Sequence, residues 1–104
     1  MSACMIYVTT GNREEAVGIA RHLVESRLAA CANVLPAATS IYRWQGALQE
    51  DSESVLIVKT RCGLVDEVTA KVKELHSYDC PCVVSLRLEG GNEDYLEWII
   101  KETL

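Results

Sequence analysis

Residues 39–60 read TSIYRWQGALQEDSESVLIVKT, and this segment gives the strongest indication of the fold. A strand-like segment leads into Gln45 and Gly46, a pair that favours a turn. The chain then returns through the apolar run VLIV at residues 55–58, which is typical of a buried strand. Residues 39–60 are therefore predicted to form a long β-hairpin.

A strand and a helix are predicted on the amino-terminal side of this hairpin. The run MIYVT at residues 5–9 is apolar and β-branched, and Gly11 stops it. Asn12 is placed to cap a helix, with Glu15 reaching back to it in a capping box. The helix carries apolar residues at helical spacing: Ala16, Ile19, Ala20, Leu23 and Val24.

A helix, a strand and a last helix are predicted on the carboxyl-terminal side. Apolar positions spaced three, four and three apart indicate a helix over residues 65–75, ending near His76. Pro81 opens a strand over residues 82–88, in which apolar and polar residues alternate. Asn92 is placed to cap the last helix, whose first turn is acidic.

This order of elements is a split βαβ pattern. It predicts an α+β, ferredoxin-like βαββαβ fold with an extra carboxyl-terminal helix, in which one antiparallel sheet carries helices on one face. No repeat or linker divides the chain, so residues 1–104 are predicted to form a single domain.

The strands at residues 5–8 and 55–58 are apolar on both sides, although a sheet covered on one face should alternate. The second face therefore needs a cover. We expect another copy of the chain to supply it, so that sheets pack on sheets in an obligate oligomer. The alternative is that the third helix folds across this face.

Composition excludes two classes of partner. The chain has 104 residues, with 10 Lys and Arg against 15 Asp and Glu, which gives a net charge of −5. This acidic balance argues against nucleic acid and anionic membranes as partners. The longest uncharged stretch, residues 28–42, is too short to span a bilayer, so no membrane insertion is expected.

The five cysteines cannot all pair internally, because their number is odd. The amino terminus has no features of a signal peptide, so a reducing cytoplasm is the expected location. Cys4 and Cys62 are interpreted as exposed thiols open to oxidation. Cys31, among small apolar residues and without cationic neighbours, is interpreted as core packing.

The segment RLAACAN at residues 27–33, followed by Pro36 and TSIYRWQG at residues 39–46, closely resembles the CutA family of divalent-cation tolerance proteins. Other matching blocks cover nearly the whole chain in the same order: residues 50–53, Lys59-Thr60, His76-Ser77-Tyr78 with Pro81, Gly91-Asn92 and residues 95–99. The resemblance implies a ferredoxin-like subunit, a stable homotrimer joined through its sheets, and a role in tolerance to metal ions. Copper or another divalent cation is the implied ligand.

His76, Cys80 and Cys82 form the candidate metal site. One imidazole and two thiols within seven positions offer soft ligands suited to copper(I) or zinc, and packing of the two thiols is the alternative. The resemblance places His76 at the histidine proposed as a copper ligand in the family. Cys82 stands where the family has a glutamate, and Val8 where it has a cysteine.

A second set of polar and aromatic residues also matches the family pattern: Arg43, Trp44, Glu53, Lys59 and Tyr78, together with His76. Such a set could line a cleft at a subunit junction. The alternative is a network of ion pairs and stacked rings that sets the register between subunits.

Other functions on this fold fit less well, and no enzymatic activity is predicted. The chain lacks the phosphate-binding loop of an acylphosphatase-like enzyme and the aromatic strand residues of an RNA-recognition domain. A cysteine hydrolase would need an oxyanion hole that no motif supplies. A trimer like the PII signalling proteins, binding a small molecule or a protein at its subunit clefts, is the alternative to metal tolerance.

Overall fold

A computed structural model describes residues 2–104 and contains the predicted elements in the predicted order. They are β1 (Ala3–Thr10), α1 (Arg13–Glu25), β2 (Cys31–Trp44), β3 (Ala47–Arg61), a short 3-10 helix (Cys62–Leu64), α2 (Val65–Leu75), β4 (Val83–Arg87) and α3 (Glu93–Lys101).

The four strands form one antiparallel sheet in the order β2-β3-β1-β4. β1 lies at the centre, where it pairs with β3 on one side and β4 on the other. Each helix crossover therefore skips one strand, which is the split βαβ arrangement. The predicted ferredoxin-like α+β fold is confirmed.

The hairpin closes through the predicted two-residue turn. Trp44 pairs with Ala47, and Gln45 and Gly46 between them both have positive φ, at 50° and 80°. A type I′ turn needs positive φ at both central positions, and its twist matches that of the strands it joins.

The edge strand β2 contains a β-bulge between Leu35 and Ala38. Leu35 pairs with Val55 and Ala38 with Glu53, so β2 has one more residue than β3 across this interval. Ala37 takes a positive φ of 63° there. A bulge of this kind reverses the side-chain alternation of one strand relative to its partner.

Both predicted helix caps are confirmed. The Asn12 side chain accepts from the backbone N–H of Glu15 at 2.8 Å, and that of Asn92 accepts from Asp94 at 3.0 Å. The predicted return contact of Glu15 is wrong, because its carboxylate accepts from the backbone N–H of Ser77 at 3.1 Å instead. The first helix is thereby tied to the loop after α2.

The main core lies between the helices and one face of the sheet. Ile6 and Val8 of β1 and Leu56 and Val58 of β3 are fully buried there. They pack with residues of the helices: Ala16, Ile19, Leu23, Val68 and Val72. Burying one such aliphatic side chain contributes about 1.5–3 kcal/mol, so this face supplies most of the driving force for folding.

The opposite face of the sheet is only partly covered. α3 packs over one end, where Ile99 is buried with Ala3 and Ala30. The rest of this surface, called the open face below, exposes large apolar side chains: Tyr7, Leu35, Val84 (56% exposed) and Leu86 (65% exposed). The third helix therefore covers only part of the second face of the sheet, although the strands are apolar on both faces.

The prediction that Cys4 and Cys62 are exposed thiols is wrong. They form a disulfide, and Cys4 is buried. Cys4 lies on β1 next to Thr60 of β3, so the first residue after β3 is brought beside it by the sheet register. The two cysteines are 58 residues apart in sequence, so no local pattern predicts that they are close in the fold.

Reduction of this disulfide should destabilise the fold. We expect the free energy of unfolding to fall by about 2–4 kcal/mol, because the open chain regains the entropy that the crosslink removes. Denaturant unfolding with and without reductant measures the change. A variant with Cys4→Ala and Cys62→Ala is the control and should unfold at the same midpoint in both conditions. An unchanged midpoint for the unsubstituted protein would contradict the structural role of the bond.

Candidate functional site

A cleft of about 660 Å³ lies between the β2–β3 hairpin and the loop at residues 76–82. Its described lining combines three aromatic rings, three carboxylates and two thiols: Tyr42, Trp44, Tyr78, Asp51, Glu53, Asp79, Cys80 and Cys82. The cleft continues the open face, because Glu53 and Val55 of β3 point to the same side of the sheet.

The bulge in β2 determines which side chains enter the cleft. Ser40 pairs with Asp51 and Ala38 with Glu53, so these side chains share one face. Tyr42 and Trp44 follow on that face at spacing two, whereas Arg43 points to the other. Without the extra residue in β2, the aromatic rings would lie on the opposite side.

His76 is buried behind the cleft, and both of its ring nitrogens are engaged. Nε2 lies 2.7 Å from the carbonyl oxygen of Thr9, and a carbonyl only accepts, so Nε2 carries the proton. Nδ1 accepts from the backbone N–H of Tyr78 at 3.0 Å. In this arrangement the imidazole offers no free nitrogen to a metal ion.

Glu15 completes this buried cluster. One carboxylate oxygen accepts from Ser77, and the other, Oε1, is buried without a hydrogen bond and lies 3.9 Å from Nδ1 of His76. The carboxylate and imidazole hold the end of β1, the first turn of α1 and the loop after α2 together. They position Tyr78 at the cleft wall.

The Tyr78 hydroxyl donates to Oε2 of Glu53 at 2.9 Å. Burial, followed by this hydrogen bond and the charge of Glu53, raises the pKa of Tyr78 to about 12. The phenol is therefore protonated at neutral pH and keeps donating. Glu53 itself is only 9% exposed.

Two further groups experience the negative charge of the cleft. The Tyr42 hydroxyl donates to Asp51, and this bond raises the pKa of Tyr42. Partial burial of the thiol, followed by the charge of Glu53, raises the pKa of Cys82, although a hydrogen bond with Thr9 opposes the shift. The cleft therefore favours protonated and cationic groups.

The predicted metal ligands are separated by this arrangement. Cys80 and Cys82 are exposed free thiols in the cleft wall, whereas His76 is enclosed behind it. Within residues 2–104, no group of three or more His, Cys, Asp or Glu side chains is placed to hold a metal ion. A metal at the thiols would need ligands that move or come from another chain.

The second predicted set is divided as well. Trp44, Glu53 and Tyr78 line the cleft, but Arg43 and Lys59 are not among its described lining. Arg43 contacts the carbonyl of Gly46 at the hairpin tip. Lys59 lies at the other end of the open face, where its ammonium donates to the hydroxyl of Tyr95.

Sequence reasoning missed the Asp51 side of the cleft and the surroundings of Cys31. Asp51 and Glu53 lie two residues apart, and this spacing, the signal that could have found Asp51, places both on one strand face. Cys31 was expected to lack a cationic neighbour, but the register pairs it with Lys59, and its sulfur lies 3.3 Å from the Tyr95 hydroxyl.

The comparisons with known proteins agree with one another. A family model described as CutA1 divalent ion tolerance protein matches residues 4–102. The Divalent-cation tolerance protein CutA of Thermus thermophilus is 44% identical over 99 residues, which cover 95% of this chain and 96% of that protein. The Protein CutA, chloroplastic, of Arabidopsis thaliana is 43% identical over 99 residues, which cover 95% of this chain and 54% of that protein. The name of the Thermus thermophilus relative describes a tolerance protein, and neither name describes an enzymatic reaction.

Solved structures are equally similar. CutA1 from Oryza sativa has a TM-score of 0.97 at 41% identity, covering 100% of this chain and 95% of that chain. The periplasmic divalent cation tolerance protein CutA from Archaeoglobus fulgidus has a TM-score of 0.93 at 39% identity, covering 96% and 97%. The chain spans 54% to 62% of the length of several curated relatives. In the part of the chain described, none of the helices could cross a membrane.

The two cleft thiols should differ in reactivity. Because burial and Glu53 raise the pKa of Cys82, its thiolate fraction at neutral pH is reduced, and we expect it to react with iodoacetamide more slowly than Cys80. Mass spectrometry of Cys80→Ser and Cys82→Ser variants between pH 6 and pH 10 measures each rate. Glu53→Gln should accelerate Cys82 at a given pH. An unchanged rate for Cys82 in Glu53→Gln would contradict this account.

Proposed function

Because the chain belongs to the CutA1 family of divalent ion tolerance proteins, we infer that it acts in the response to metal ions, as a homotrimer that binds copper or another divalent cation. The observation that carries the metal-binding proposal is the pair of free thiols, Cys80 and Cys82, exposed on the wall of an acidic cleft. Thiolates are soft ligands, and soft ligands select copper(I).

The residues of one chain fit a complete tetrahedral site poorly. Zinc in structural sites takes four ligands, and Nδ1 of His76 would have to release the backbone N–H of Tyr78 to become one of them, while Nε2–H keeps its bond to Thr9. Copper(I) is a better match than zinc, because two thiolate ligands satisfy more of the coordination that copper(I) requires. Cys80 and Cys82 are therefore the proposed primary ligands, with His76 as a ligand only after the loop rearranges.

The open face supports association of this chain with further copies, as the proposed homotrimer requires. Monomeric proteins seldom expose several contiguous large apolar side chains, and α3 leaves Tyr7, Leu35, Val84 and Leu86 exposed. Packing this face on another copy would bury it. Each subunit, residues 1–104, then acts as a single domain.

No enzymatic activity, membrane insertion or binding of nucleic acid is proposed. The names of the relatives describe tolerance, and the charge of −5 opposes contact with phosphate backbones. A cytoplasmic location is proposed for this chain. In that location the Cys4–Cys62 disulfide would have to form in the presence of cellular thiols that reduce disulfides.

A PII-like trimer that binds a small molecule or a protein partner is the second candidate. The position of the cleft favours it, because a cavity of about 660 Å³ continues the open face and would lie at the edge of a subunit junction. Ligand sites commonly have volumes of about 300–1,000 Å³. A thermal-shift screen of metals and nucleotides separates the two: stabilisation by a nucleotide and by neither copper nor zinc favours the second.

Copper(I) titration tests the thiol site. Under anaerobic conditions, thiolate-to-copper charge transfer in the ultraviolet should saturate with the unsubstituted protein, and Cys80→Ser or Cys82→Ser should each reduce the copper bound. Cys31→Ser is the matched control and should change nothing. Copper bound in unchanged stoichiometry by both Cys82→Ser and His76→Ala would exclude this site.

Sedimentation tests the assembly. At micromolar concentration we expect a species of three times 11.5 kDa, and Leu86→Lys should dissociate it because the substitution buries a charge in the proposed interface. Val24→Lys, at an apolar position of α1 that is 38% exposed on the helical side, is the control and should sediment like the unsubstituted protein. A single 11.5 kDa species for the unsubstituted chain would refute the trimer.

A further inference from the structure

The cleft contains a buried carboxylate without a cation. Glu53 is 91% buried, and its hydrogen bond comes from the phenol of Tyr78, which carries no charge. Across residues 2–104, no lysine, arginine or histidine forms an ion pair with Glu53, Asp51 or Asp79. A buried charge is costly unless an opposite charge compensates it. The cleft is therefore electrostatically incomplete in a single chain.

The aromatic side chains suit one kind of compensating group. Tyr42, Trp44 and Tyr78 are each 38–50% exposed and border the same cavity as the carboxylates. The face of an aromatic ring carries partial negative charge and attracts ammonium and guanidinium groups. The rings also offer apolar surface to the carbon atoms that such groups are attached to.

The electrostatic field agrees with this chemistry. Burial is the main cause that raises the pKa values of Tyr78 and Cys82, and the charge of Glu53 adds to both shifts. No lysine or arginine is present in the described lining to hold a phosphate or carboxylate. A bare metal ion is less suited to this wall, since within residues 2–104 no group of three or more His, Cys, Asp or Glu side chains is placed to hold one.

We propose that the cleft binds a small organic cation, with its ammonium or guanidinium group paired to Glu53 and Asp51 and its apolar part against Trp44 and Tyr42. The volume of about 660 Å³ accommodates such a molecule. The site lies on the hairpin wall, opposite the thiols of Cys80 and Cys82. It does not depend on the proposed copper site; it rests on the second candidate function and names the class of small molecule that the cleft would bind.

Calorimetric titration of the full chain in its native assembly tests the proposal with three probes of one shape. Benzylamine is cationic, benzyl alcohol is neutral and benzoate is anionic at pH 7. We expect benzylamine to bind at least tenfold more tightly than benzyl alcohol, and benzoate to show no binding. Equal affinities for benzylamine and benzyl alcohol would overturn the proposal.

Variants assign the binding to this wall. Glu53→Gln should weaken benzylamine at least tenfold, and Asp51→Asn provides a second test if Glu53→Gln does not fold. Glu50→Gln removes the same charge from the opposite face of β3 and should leave the affinity unchanged. Equal losses from Glu50→Gln and Glu53→Gln would overturn the site.

Two further outcomes separate this site from its alternatives. A Cys80→Ser, Cys82→Ser double variant should keep its affinity for benzylamine even if it loses copper, so the two proposals can fail independently. If benzylamine does not bind and Glu53→Gln dissociates the assembly, a basic side chain of a second copy fills the cleft, and the small-molecule proposal is refuted.

Discussion

The pairing register of β3 is the constraint on which the rest of the structure depends. β3 pairs with β1 and β2 simultaneously, so that Ile57 stands beside both Tyr7 and Asn33. Because side chains alternate along a strand, this register buries Leu56 and Val58 under the helices. A slip by one residue would exchange the core face for the open face.

The cleft depends on the same register through the bulge in β2. The extra residue between Leu35 and Ala38 reverses the alternation of β2, which directs Tyr42 and Trp44 to the side of Glu53. One local irregularity thus turns an acidic strand face into an acidic and aromatic wall. The wall has this composition because β2 contains one more residue than β3 across this interval.

The buried His76 holds the loop after α2 in position. His76 joins the carbonyl of Thr9 to the backbone of Tyr78, and Glu15 holds the adjacent Ser77. These bonds fix the loop that carries the thiols and the tyrosine of the cleft. Residues that are close in sequence therefore have separate roles. His76 holds the loop in place from behind, whereas Asp79, Cys80 and Cys82 line the cleft.

The elements, the helix caps, the hairpin turn and the family could be predicted from the sequence, because the hydrophobic period, the Asn caps and Gln45-Gly46 act over a few neighbouring residues. The folded chain was needed to find that Cys4 meets Cys62, that Arg43 and Lys59 lie apart from Glu53, and that both nitrogens of His76 are occupied. These features arise from strand register and from contacts between distant segments. A short sequence pattern does not predict these contacts, because each one depends on the alignment of the strands in the whole sheet.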